Sequence, residues 1–178
     1  MGRILFAILI AAGAVLGAAQ QAPAPALDAP QLCAREFGDS FKLDPKFSPL
    51  VADLDGDGQE DLVLVATSKN PLSGEIDYHY RAIDPYTAYF GWGNPKITVQ
   101  FAATSAVTRH VLVVHNWRAP KAKFVIINLP FERLSIARVA YRKKAVSSIR
   151  AEETGGLASD VFWDGRKYKW AASYVSGD

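Results

Sequence analysis

Asp53-Leu54-Asp55-Gly56-Asp57-Gly58-Gln59-Glu60-Asp61 lies between two apolar runs, Leu50-Val51-Ala52 and Leu62-Val63-Leu64-Val65-Ala66. A β-rich run on each side of a glycine-punctuated polar segment reads as strand, tight loop, strand. Four aspartates in so short a loop repel one another. Two unit charges about 4 Å apart cost roughly 4 kcal/mol at the effective dielectric of a protein surface. The nine residues contain no lysine or arginine, so the simplest compensating charge is a hard divalent cation held by oxygens.

An EF-hand takes ligands from loop positions one, three, five, seven, nine and twelve, with glycine at six and a bidentate glutamate at twelve. Counted from Asp53, position twelve is Leu64. The bidentate carboxylate is missing, and the β-branched residues that follow do not open an exposed helix. The remaining arrangement is a loop between two strands. In it Asp53, Asp55, Asp57 and Asp61 offer side-chain oxygens and Gln59 its backbone carbonyl, with Gly56 and Gly58 curling the chain at positive φ. This DxDGDGxxD pattern, followed by an apolar strand, resembles the calcium loop of FG-GAP or VCBS repeats, as in integrin-like propellers. It matches at Asp53, Asp55, Gly56, Asp57, Gly58 and Asp61, and the resemblance implies bound Ca2+. A propeller needs about four to eight blades, whereas this chain carries one copy of the motif, so a full propeller and its ligand-binding roles are not expected. The plainer alternative is an acidic hairpin turn that holds no ion.

The chain has 178 residues, enough for one domain with a sizeable core. Residues 1–19 combine Arg3, the apolar run Ile4-Leu5-Phe6-Ala7-Ile8-Leu9-Ile10 and a small-residue end at Gly17-Ala18-Ala19. That is the pattern of a cleaved secretory signal. An uncleaved anchor is the alternative, with an apolar stretch near the lower limit for spanning a bilayer. Cleavage implies a secreted or periplasmic protein with no stable membrane span. Residues 20–30, rich in alanine, proline and glutamine, read as a flexible tether. Residues 31–178 then form one α+β domain of mostly antiparallel strands. The lone Cys33 excludes an internal disulfide and reads as a small apolar residue. Without Arg3 the formal charge falls from +2 to about +1. Bulk charge of this size argues neither for nor against a polyanion partner. The basic group Arg138, Arg142, Lys143, Lys144 and Arg150 reads as a solvated face, since Glu152 and Glu153 follow it and the total is nearly balanced, and no nucleic-acid partner is expected.

Local patterns fill in the rest. Phe37, Phe41, Leu43 and Phe47 suggest a short strand or loop against the aspartate hairpin. Residues 75–81 alternate as a half-exposed strand, and Asp84-Pro85 and Gly91-Trp92-Gly93-Asn94-Pro95 mark turns. Strands are expected over 96–101, 110–115 and 123–129, with His110 and His115 on opposite faces and therefore not a zinc pair. Pro130 opens a short helix within 130–144. Asp164-Gly165 forms a two-residue hairpin pairing Trp163 with Arg166, Val161 with Tyr168 and Asp160 with Lys169. Trp163, Val161, Tyr168 and Trp170 share one face of it.

Tyr78, His79, Tyr89 and Trp92 are candidate ligand contacts for a sugar ring or another flat group; the plainer reading is packing aromatics with polar tips at the surface. No nucleophile elbow, zincin helix, phosphate loop or dinucleotide fingerprint occurs. The functional expectation is an exported calcium-binding protein whose ion fixes a strand-loop-strand, with an interaction role, on an envelope glycan or protein, or a structural one. An exported hydrolase-like enzyme using Asp77, His79 or His115 is the alternative.

Overall fold

The computed structural model describes residues 27–91 and 107–173. Two sheets and two helices occupy this part of the chain. Helix α1 (Ala29–Phe37) is followed by β1 (Lys42–Leu43), β2 (Leu50–Ala52), β3 (Asp61–Ser68), β4 (Arg81–Ile83) and helix α2 (Pro85–Phe90). Strands β5 (Thr108–His115), β6 (Ala122–Ile126), β7 (Arg133–Tyr141), β8 (Lys144–Glu152), β9 (Ala158–Trp163) and β10 (Tyr168–Ser173) complete it. The first sheet runs β1-β3-β5-β6-β4, with β2 also paired to β3. The second is a meander in the order β10-β9-β8-β7. Pairing is antiparallel except between β4 and β6.

Strand β3 is apolar without interruption from Leu62 to Ala66 because both of its faces are covered. Leu62, Leu64 and Ala66 join Leu112 and Val114 of β5 under Phe37, Phe41 and Tyr80. Val63 and Val65, with Val111 and Val113, face Ile149, Ala151, Val161 and Tyr168 of the second sheet. The first sheet is therefore the middle layer. Helix α1 and the segment before β4 lie on one side of it, and the second sheet lies on the other. His110 meets Phe41 in the first layer and His115 meets Tyr168 in the second, so the two imidazoles do occupy opposite faces.

Several local expectations are corrected. The residues read as strand or loop after position 31 begin with helix α1, which also takes Ala29 and Pro30 from the expected tether. Asp28 caps it by accepting the Gln31 N–H at 3.0 Å, and Pro30 fits the first turn, where a missing N–H costs nothing. Phe37, Phe41 and Leu43 pack in the helix layer, while Phe47 stacks edge-on against Phe131 in the other. Residues 71–79 are turns, so the strand expected over 75–81 is confined to β4. There the buried Tyr80 hydroxyl donates towards the carbonyls of Pro71 and Ser73, folding the segment onto itself. Asp84 accepts the Thr87 N–H at 2.8 Å and caps α2.

The helix expected within 130–144 is strand β7. Its half-buried Leu134 and Ile136 alternate with exposed Arg133 and Ser135 at the strand period, and Arg142 and Lys143 turn the chain with φ of 46° and 66°. The C-terminal hairpin is slipped by two residues from the expected register: Trp163 pairs with Tyr168, Phe162 with Lys169 and Val161 with Trp170. Asp164 accepts the N–H groups of Arg166 and Lys167 at 2.9 and 3.0 Å, which holds a longer turn. A two-residue slip preserves parity, so Val161, Trp163, Tyr168 and Trp170 still share the inward face. The strand expected over 96–101 lies outside the described residues.

Burial depresses the pKa of His110 to about 4. An unfolded histidine titrates near 6.5, so between these values the unfolded chain binds the extra proton and stability falls as pH falls. From pH 7 to pH 5 this contributes a loss of about 2 kcal/mol. Urea melts at the two pH values are expected to show a correspondingly smaller loss in His110→Gln; an equal loss in both proteins contradicts the assignment.

Candidate metal site

Ala52 pairs with Asp61, so the aspartate loop is the hairpin connection between β2 and β3. Gly56 and Gly58 adopt φ of 80° and 83°, the left-handed turn that the loop sequence requires. The carboxylates fold inward onto main-chain amides. Asp53 accepts from Gly56 N–H at 2.7 Å and from Gly58 N–H at 3.1 Å. Asp55 accepts from Asp57 N–H at 3.1 Å, and Asp57 from Gln59 N–H at 2.8 Å. These are Asx-type turns repeated along the loop, and they direct successive side chains to one side.

One carboxylate oxygen from each of Asp53, Asp55 and Asp57 lies within 4.8 Å of the other two. Oxygens that share a calcium ion at about 2.3–2.6 Å can be up to roughly 5 Å apart, so this set fits a common hard cation. Each carboxylate retains lone pairs beyond its amide bonds, since a carboxylate accepts about four hydrogen bonds. Gln59 is exposed and takes part in the loop through its N–H.

Asp61 occupies a different position. It has no exposed surface. Its Oδ2 accepts the N–H groups of Leu54 and Asp55 at 2.8 and 3.3 Å, and its Oδ1 accepts that of Asn116 at 2.8 Å. Burial raises its pKa, against the pull of the Asn116 and Leu54 amides. Asp61 thus ties both ends of the loop to the turn after β5. It also belongs to a second group, with Asp55 and His115, whose ligand atoms lie within 4.8 Å of one another. Asp55 is common to both groups.

His115 links the loop to the core. Its Nδ1 is 3.3 Å from Asp55 Oδ2, and its Nε2 is 2.6 Å from the Tyr168 hydroxyl. Burial pushes the Tyr168 pKa well up, aided by the charges of Asp61 and Asp55. The turn after β5 also brings cations that the loop itself lacks. Lys121 pairs with Asp57 and Arg118 with Glu60. The Lys121 ammonium holds Asp57 below the usual carboxylate range, and its own pKa is raised in return. Local sequence offered no signal for Arg118, Lys121, Asn116 or His115 as loop partners, because they lie more than fifty residues downstream.

The expected aromatic contacts are not one site. Tyr78 lies over Gly38 and Gly74 beside the helix layer, and His79 is exposed on the adjoining turn at φ 54°. Tyr89 is on α2, where its ring centroid is 4.8 Å from that of Trp170. Trp92 lies outside the described residues. Asp77 and His79 are exposed beside Tyr78 and Tyr80 in the helix layer, whereas His115 is buried in the opposite layer. The three do not form a catalytic group. No helix among the described residues is long and apolar enough to cross a membrane. No family model, curated protein or solved structure matches the chain.

Proposed function

We propose that this is an exported calcium-binding protein, in which one Ca2+ held at the β2–β3 hairpin fixes the edge of the first sheet for an interaction or structural role in the envelope. The observation that carries the reading is the convergence of oxygens from Asp53, Asp55 and Asp57 within 4.8 Å on a loop of DxDGDGxxD form. An all-carboxylate set favours a hard cation over thiophilic metals, and the exposed loop suits the flexible coordination of calcium better than the strict octahedron of magnesium. The ion would neutralise carboxylates that Lys121 only partly offsets. Asp61, saturated by amides at one oxygen, would shape the loop while Asp53, Asp55, Asp57 and the Gln59 carbonyl supply ligands. An exported protein meets calcium at concentrations that match modules of this affinity class.

Calorimetric titration of the metal-free full chain with CaCl2 is expected to give a dissociation constant of about 10⁻⁴ to 10⁻³ M. Asp53→Ala is expected to weaken binding by about tenfold or more, and MgCl2 to bind less tightly. Absence of binding heat up to about 10 mM calcium, or equal affinity in the variant, overturns the proposal.

A further inference from the structure

A cleft of about 500 Å³ opens between β4, α2 and the β9–β10 hairpin, on the inward side of the second sheet. Its volume is in the range of small-ligand sites, about 300–1,000 Å³. Phe124 and Tyr168 line it from the core, and Tyr89 and Trp170 line it from α2 and β10. Tyr89 is 58 % exposed. The Tyr168 hydroxyl is held by His115, so that ring is fixed in place before any ligand arrives.

The charge of this cleft is lopsided. Arg81, Arg166, Lys167 and Lys169 line it, against the single carboxylate of Asp84. Asp84 is buried and already committed, accepting from Thr87 N–H and from the Asn128 amide. Lys169 is likewise engaged, by Asp164 and the Tyr141 hydroxyl. That leaves Arg81, Arg166 and Lys167, exposed and without a carboxylate partner among the described residues. A cationic rim over an aromatic wall selects a ligand with negative charge at one end and a flat apolar face at the other.

We propose that this cleft binds a small carboxylate carrying an apolar ring face, the chemistry shared by uronic sugars and aromatic acids. The ring packs on Tyr89 and Trp170, and the carboxylate meets Arg166 and Lys167 at the hairpin turn with Arg81 across the opening. Because the loop of residues 53–61 contributes no lining residue, the binding requires no metal and stands independently of the calcium reading.

The test is a titration of the full chain, in chelator, with digalacturonate and separately with 2-naphthoate, followed by amide NMR shifts. Their uncharged counterparts, the methyl ester and 2-naphthamide, serve as controls. At least one acid is expected to bind about tenfold more tightly than its neutral counterpart and to shift resonances of Tyr89 and Trp170. Which acid binds identifies the ligand source. The double variant Arg166→Ser/Lys167→Ser changes only exposed side chains and is expected to weaken that binding by about tenfold. The proposal is overturned if acid and neutral forms bind alike, if the double variant binds as the parent does, or if neither acid binds by about 10 mM.

Discussion

Asp61→Ala is expected to destabilise the protein by about 3–5 kcal/mol, with or without calcium. The carboxylate accepts three main-chain N–H groups, from Leu54, Asp55 and Asn116, and has no exposed surface. Each buried donor left without an acceptor costs about 1–3 kcal/mol. Part of that loss is recovered, because a carboxylate whose pKa is raised by burial is itself held at a cost. Asparagine does not restore the site, since its NH2 group would confront donors. Denaturant unfolding in chelator measures the effect. Asp57→Ala, at the exposed outer end of the loop, is expected to leave the midpoint nearly unchanged under the same conditions. Equal midpoints for Asp61→Ala and Asp57→Ala would contradict the division of the loop into an anchor and a ligand set.

Phe37→Ala should cost a similar amount, about 3–5 kcal/mol. Phe37 is fully buried at the last turn of α1, with its ring 6.0 Å from Phe41 and 5.6 Å from Tyr80 between centroids. Truncation removes the transfer energy of a phenyl group and leaves a cavity lined by two fixed rings, which cannot collapse without moving the helix. The same denaturant measurement applies. A loss below about 1 kcal/mol would mean that α1 does not cover the first sheet.

The contrast between these two positions shows what the sequence reveals locally and what it hides. The hairpin at residues 53–61 was legible because carboxylate spacing and glycine placement are short-range signals, and the glycines take the positive φ expected of them. The uninterrupted apolar run from Leu62 to Ala66 marked a strand covered on both faces, and the parity of Val161, Trp163, Tyr168 and Trp170 survived a wrong register because a strand repeats every two residues. Helix α1 was hidden by composition. Its Ala29 and Pro30 continue the character of the preceding alanine-proline segment, and Leu32, Cys33 and Phe37 alone make a thin stripe. Strand β7 was hidden by Pro130, which can precede a strand as readily as it opens a helix. The partners of the aspartates were invisible for a further reason. Lys121 reaches Asp57 and His115 reaches Asp55 only because β3 and β5 are neighbours in the sheet, a long-range fact that loop spacing does not encode. The grouping of the aromatic candidates was hidden in the same way, with Tyr89 joining Trp170 of the last strand rather than Tyr78 and His79.

Calcium ligation at the β2–β3 hairpin is best tested by the thermal unfolding of the metal-free full chain with and without about 10 mM CaCl2 at constant ionic strength. At ten to a hundred times the dissociation constant, binding to the native state alone adds roughly 1.4–2.7 kcal/mol, which for a chain of this size raises the melting temperature by roughly 3–10 °C. The account predicts that rise in the parent protein and its loss in Asp53→Ala. Superimposable melts with and without calcium would contradict it.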